Sequence, residues 1–160
     1  MAMDTRNTRD GFTILELIVV LTLSAVMLSI VAISFTAYMT RTSAHRAAQV
    51  FARDLVLARS TAMRGRETVV IRFYEASRWY EIATVDSGKE VVRRRLGVNG
   101  DIELSGVTLD LAGDTVFFDS RGMADLTGAM GPLGSATFSS GSVTYEVSFN
   151  SMGASRIERK

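Results

Sequence analysis

From Phe12 to Phe35 the chain is a predominantly apolar run holding a single acid, Glu16. No other feature limits the fold so strongly. As a helix, about 24 residues rising 1.5 Å each cover the ~30 Å hydrocarbon core of a bilayer. A removable secretory signal has an apolar region of roughly 7–15 residues and a small-residue cleavage ending; this run is longer and lacks that ending. An uncleaved anchor or a buried core helix would leave Glu16 unexplained. A carboxylate well inside hydrocarbon costs about 2.5–3.5 kcal/mol, and an anchor needing only apolarity would carry Leu there. The charge calls for a cationic partner. A cut between Gly11 and Phe12 would create an α-amino group at Phe12, one helical turn from Glu16 and equally available on a neighbouring copy.

The residues around this acid carry a resemblance. The stretch "GFTILELIVVLTLSAV" resembles the type III signal of type IV pilins and type II secretion pseudopilins, in which a short polar leader ends in Gly before Phe, Thr and a Glu-bearing apolar helix. The resemblance implies that prepilin peptidase cuts after Gly11 and N-methylates Phe12. It also implies that Glu16 pairs with the N-terminus of an adjacent subunit during filament assembly. Positive-inside counting disagrees. Arg6 and Arg9 precede the run while Arg41, Arg46 and Arg53 follow it, which would place the C-terminal part in the cytoplasm. The processing site makes sense only with the leader cytoplasmic, so the motif takes precedence.

Beyond Phe35 the pattern stays helical and becomes amphipathic. Ala44, Ala48, Phe51, Leu55, Ala58 and Ala62 fall on one stripe, with Arg46, Arg53 and Arg64 opposite. No Gly or Pro interrupts Phe12 to Arg64, so one helix of about 50 residues is expected, stopping at Gly65. Many major pilins carry a proline in the membrane half; this chain does not.

From Thr68 the period shortens to that of strands. "TVVIRFY" (68–74), "WYEIATV" (79–85) and "EVVRRRL" (90–96) read as an antiparallel meander broken at "EASR" and "DSGK". "VTLDL" (107–111), "TVFF" (115–118), "SATFS" (135–139) and "VTYEVSF" (143–149) follow, the last two joined by a hairpin at 140–141. The expectation is an α+β, pilin-like fold: a long N-terminal helix packed on a small antiparallel β-sandwich. The segments are a leader at 1–11, a transmembrane half-helix at 12–35, an amphipathic half-helix at 36–64 and a periplasmic β domain at 65–160. The Gly-rich 126–134 is a loop without the lysine or spacing of a P-loop.

Enzymatic chemistry finds little footing. There is no Cys, which excludes thiolate metal sites, and the single His argues against a zinc site or a Ser/His/Asp triad, so no cofactor, metal or catalytic residue is expected. A net charge of +1 gives no general attraction to nucleic acid, although eight Arg face three acids between Arg41 and Arg78. In "RRR" (93–95), Arg93 and Arg95 share one face of a strand and Arg94 the other. The cluster reads as an edge strand guarded by cations, or more sharply as a contact with an acidic partner subunit.

The whole layout resembles the GspH/FimT branch of minor pseudopilins and minor pilins. "FARDLVLARSTAMRGRETVVIRF" is similar to that family's passage from helix to first strand, with its Ala-Arg-Ser-x-Ala stretch. "VFFDSRG" and "VSFNSMG" are similar to its two late Phe-x-x-x-Gly turns. The resemblance implies a structural subunit at or near the tip of a type II secretion pseudopilus. It would be held by a single pass in the bacterial inner membrane, with its C-terminal domain in the periplasm, and would partner other pilins and prepilin peptidase. The alternative is a FimT-like minor pilin of a type IV pilus. In DNA-uptake members a C-terminal Gly-Arg-x-Arg motif carries DNA binding. Here Gly153, Ala154, Ser155 and Arg156 keep only the glycine and the second arginine, followed by Arg159 and Lys160, so DNA is the weaker of the partner candidates.

Overall fold

The computed structural model describes residues 12–97, 99–129 and 131–160, with the side chains of 31–37, 39–41 and 112 outside the description. Two compact units divide between Tyr38 and Met39, and one helix, α1 (Ile14–Gly65, 52 residues), runs through both. Its start follows from Thr13, whose Oγ1 accepts a hydrogen bond from the Glu16 N–H at 3.2 Å. A Thr satisfying the third free amide, with an acid at that same position, is an N-cap pattern. At the other end the expected stop at Gly65 is met with a shift of one residue. The left-handed residue is Arg66, at φ 52°, and the Glu67 N–H closes onto the Ala62 carbonyl at 3.3 Å, the six-to-one bond of a Schellman turn.

In the C-terminal unit the six residues of the predicted stripe are all fully buried, and Ala47 joins them. They share one core with the β-sheets, and the described residues form nine strands: β1 (Val69–Tyr74), β2 (Trp79–Thr84), β3 (Glu90–Arg95), β4 (Gly106–Asp110), β5 (Thr115–Phe118), β6 (Ala124–Asp125), β7 (Gly134–Ser140), β8 (Val143–Phe149) and β9 (Ser155–Arg159). The strands form two antiparallel sheets, one ordered β3-β2-β1-β5-β6 and one ordered β4-β7-β8-β9. The expected meander is the first three strands of the larger sheet. The β7–β8 hairpin closes through two loop residues, Gly141 and Ser142, because Ser140 still pairs with Val143. That is one residue later than expected.

Phe51 joins helix and sheets. Its ring lies 5.3 Å from Phe73 and 5.7 Å from Tyr80 in the larger sheet, and 5.4 Å from Phe138 and 6.1 Å from Phe149 in the smaller one. Edge-to-face and tilted aromatic contacts of this kind add about 0.5–1.5 kcal/mol each to the area they bury. One helical side chain thus contacts both sheets, which makes the fold α+β with a single shared core.

Candidate assembly interface and contact sites

In the N-terminal unit every described side chain from Phe12 to Ile30 is exposed, including Phe12 at 84 % and Ile14 at 80 %. Its hydroxyls turn back on their own helix: Thr22 donates to the Val19 carbonyl, Ser24 to Val20 and Ser29 to Ala25, at 2.7–2.9 Å. Hydroxyls satisfied this way are suited to apolar surroundings. Glu16 is the exception. It has no ion-pair partner among the described residues and sits in the first turn of α1, where the exposed amides favour negative charge. Gly11 lies outside the described residues. Among the described residues, no helix is long and apolar enough to cross a membrane; the expected span of 12–35 includes side chains beyond the description.

The C-terminal unit holds a buried polar joint between α1 and the larger sheet. Asp54 Oδ2 accepts the Tyr80 hydroxyl at 2.7 Å and Arg94 Nε at 3.0 Å, while Oδ1 accepts an Arg94 terminal nitrogen at 3.2 Å. The Asp54 side chain is only 4 % exposed. Burial, then the Asp54 charge and hydrogen bond, push the Tyr80 phenol far above its ordinary range, and the Asp54 hydrogen bond raises Arg94. The arrangement fixes the helix against β2 and β3 without offering reactive chemistry. The sequence reading did not single out Asp54. Its signal is position, three residues after Phe51 and four before Ala58, inside the apolar stripe.

Arg94 thus points inward and Arg93 and Arg95 outward, as the strand period requires. The three arginines lie on β3, an edge strand. Arg93 bonds Glu81 at 3.3 Å and Glu90 at 2.5 Å, and its guanidinium lies 4.9 Å from the Trp79 ring centroid. Arg156 and Arg159 lie on a strand that the sequence reading missed, β9, and Lys160 follows it directly. Arg156 is paired with Glu158 at 2.7 Å and Lys160 with Glu146 at 3.0 Å. Arg159 has no acid within ion-pair distance among the described residues. The structure therefore does not gather the three into one open cationic patch.

Residues 47–156 match the family model described as Type II transport protein GspH. The chain belongs to the GspH family. Residues 6–32 match the Prokaryotic N-terminal methylation motif. No curated protein sequence matches the chain. Among solved structures, the fold is similar to the type IV minor pilin FimU of Pseudomonas aeruginosa (17 % identity, 77 % of this chain and 92 % of that one, TM-score 0.54). It is also similar to the minor pseudopilin EpsH from the Type 2 Secretion System of Vibrio cholerae (17 % identity, 73 % and 97 %, TM-score 0.51). At such identities the likeness bears on the fold alone. Family and motif together make this GspH-family chain a pilin-like minor subunit, a structural protein and not an enzyme, anchored to a membrane and assembling with other pilins.

Three motifs of the GspH resemblance meet at one joint. In Phe118-Asp119-Ser120-Arg121-Gly122 the Asp119 side chain accepts the N–H groups of Arg121 and Met123 at 3.0 and 2.8 Å. In Phe149-Asn150-Ser151-Met152-Gly153 the Asn150 side chain accepts those of Met152 and Ala154, both at 3.0 Å. In each turn the glycine N–H donates to the carbonyl of the Asp or Asn at 2.8 Å. Both glycines are left-handed, with φ of 80° and 71°. The turns are tied to each other by the Ala124 N–H on the Ser151 carbonyl at 2.6 Å. Arg59, from the Ala-Arg-Ser-x-Ala stretch, donates to the Met152 carbonyl at 2.8 Å, and its aliphatic stem lies close to both glycines. Gly153, which also opens the degenerate Gly-Arg-x-Arg position, therefore has a turn to make.

Proposed function

We propose that this chain is a minor pseudopilin of a type II secretion system, incorporated at or near the tip of a periplasmic pseudopilus used in protein export. The observation that carries the reading is the GspH match over residues 47–156, which covers the β domain as well as the helix beneath it. Prepilin peptidase would cut after Gly11 and N-methylate Phe12, leaving the chain held by one pass in the inner membrane with its C-terminal domain in the periplasm. In the filament, exposed apolar helices pack side by side, and Glu16 meets the ammonium of an adjacent subunit's first residue. Breaking one partner of a buried pair costs about 3–5 kcal/mol, so the pair sets axial register firmly. Glu16, without an ion-pair partner among the described residues and on a stretch of helix where every described side chain from Phe12 to Ile30 is exposed, supports this role.

A FimT-like minor pilin that takes up DNA is the competing reading. It gains little from the C-terminal cations, since Arg156 and Lys160 each already have an acid within ion-pair distance, Glu158 and Glu146. Deletion of the chain separates the two. Cargo retained in the periplasm supports the secretion role, whereas intact secretion with lost pili or DNA uptake overturns it. Intact mass of the mature chain tests processing: it should begin at Phe12 and carry one added methyl group. Glu16→Ala should be processed and membrane-held yet absent from filament crosslinks, and normal incorporation would end the register idea.

A further inference from the structure

We propose that the outer face of the larger sheet, beside its β3 edge, is a contact surface for a carboxylate-bearing segment of a partner protein. Arg95 receives the acid and Trp79 with Tyr74 forms the apolar anchor. The face carries two rows across β1, β2 and β3. In one, Arg72, Glu81 and Arg93 stand side by side, and the row is electrically closed. Glu81 lies 3.6 Å from Arg72 and 3.3 Å from Arg93, and Arg93 takes Glu90 as well. In the other, Tyr74, Trp79 and Arg95 stand side by side, and this row is open. Tyr74 and Trp79 stack at 3.8 Å with their planes 10° apart. Arg95 is exposed, and no acid lies within ion-pair distance of its guanidinium among the described residues.

Trp, Tyr and Arg are the residue types in which interface binding energy concentrates, and here they are adjacent at one edge, with Tyr74 and Arg95 exposed and Trp79 half-buried in its stack with Tyr74. The positioning is already in place. The Tyr74 hydroxyl donates to Glu81 at 3.1 Å, and Arg93 lies against the Trp79 ring, so little ordering remains to be done on binding. Backbone pairing is closed off at this point. The Arg95 carbonyl accepts the Asp101 N–H at 2.8 Å, and its own N–H donates to the Asp101 carboxylate at 3.3 Å. An occupant is therefore held by side chains, not as an added strand.

Charge complementarity selects the occupant. With Glu81 and Glu90 already paired to Arg72 and Arg93, one guanidinium is left open, and it matches a single carboxylate, which it can grip with two parallel bonds. It does not match a polyphosphate, whose affinity grows with each phosphate neutralised and which would find only one open cation in these rows. The surface rests on the filament-subunit reading only in making the partner another subunit. It is also independent of Glu16, so failure of either test leaves the other standing.

Trp79 is the only tryptophan in the chain, so its emission reports this face alone. The full chain in detergent micelles is titrated with the peptide Glu-Val-Glu-Val-Glu and with its Gln-Val counterpart. A saturable change in Trp79 emission is expected with the first, and about tenfold weaker binding with the second. Arg95→Gln should lose the Glu-peptide response by a similar factor at an unchanged melting temperature, because the side chain is exposed. No saturable response, equal response to both peptides, an undiminished Arg95→Gln, or tighter binding of a single-stranded oligonucleotide would each overturn the proposal.

Discussion

Arg94 grips Asp54 with two bonds, Nε to Oδ2 at 3.0 Å and a terminal nitrogen to Oδ1 at 3.2 Å, across a separation of 40 residues. The pair is unequal: the Asp54 side chain is 4 % exposed and that of Arg94 36 %. Arg94→Ala strands a buried carboxylate and should cost about 2–3 kcal/mol, less than a fully buried pair because the guanidinium is partly solvated. Asp54→Ala lets Arg94 turn to water but strands the Tyr80 hydroxyl. Tyr80→Phe should therefore cost about 1 kcal/mol in the wild type, yet be neutral or stabilising when Asp54 is already Ala. Urea unfolding followed by Trp79 emission measures all four variants. Equal Tyr80→Phe effects in both backgrounds would show that the hydroxyl does not depend on Asp54.

The twin turns offer a comparison within one molecule. Asp119 and Asn150 accept equivalent pairs of backbone N–H groups, but only Asp119 titrates. The Met123 N–H bond, then the Arg121 contacts, hold its carboxyl below the ordinary value. A depressed carboxylate contributes stability at pH above its unfolded value, about 3.9, and loses it as pH falls through the folded value. Asp119→Asn should therefore keep the turn, as Asn150 does naturally, and flatten the loss of stability below about pH 4. Asp119→Ala should destabilise at neutral pH. Asn150→Ala should cost about 1 kcal/mol at any pH. Thermal melts between pH 3 and 7 test the set, and an Asn variant with an unchanged acid limb would disprove the assignment.

Two glycines are fixed for different reasons, and paired variants tell them apart. At Gly122 an added Cβ would lie 2.9 Å from Met63, but the backbone is also left-handed at φ 80°. Met63 is flexible and exposed, so Gly122→Ala should cost about 1–2 kcal/mol from the backbone, with little relief in a Met63→Ala background. At Gly134 the backbone is not left-handed, and the Cβ would lie 2.7 Å from the buried Phe149 ring. Gly134→Ala should cost about 1–3 kcal/mol, much of it recovered with Phe149→Leu. Denaturant midpoints of the six chains decide the matter; rescue of Gly122→Ala by Met63→Ala would reverse it.

What the sequence made legible follows the strength of its periodicities. The stripe from Ala44 to Ala62 is a strong 3.6-residue signal, and it is buried in full. Seven of the nine strands carry alternation or β-branched runs, and each was legible within a residue or two. β9 was not, because "SRIER" has one apolar residue, Ile157, and pairs through its backbone with β8. β6 is two residues long, too short for any period. The reading of Arg94 as facing away from its neighbours was available from strand geometry alone. Its acid was not, since Asp54 is 40 residues away and only the fold brings them together. Thr13 was legible in principle, as the Thr of a Thr-x-x-Glu cap, but the pilin resemblance absorbed the same residues and hid the local reason for them.

The end of α1 gives the last test, because its glycine sits one residue before the position that needs one. Gly65 is still helical and lacks the left-handed φ, while Arg66 takes φ 52°. An L-residue pays about 1–2 kcal/mol for that conformation and glycine does not. Arg66→Gly should therefore stabilise by about 1 kcal/mol, even though it removes a cation from the helix C-terminus, where such charges contribute about 0.3–1 kcal/mol when exposed. Gly65→Ala should add about 0.5–1 kcal/mol, since a Cβ there meets nothing nearer than the Glu67 Cβ at 3.9 Å. Arg66→Ala separates charge from conformation: it keeps the strained Cβ and loses the cation, so it should not stabilise. If Arg66→Ala instead gained as much as Arg66→Gly in urea unfolding, the strain would lie in the arginine side chain and not in the backbone.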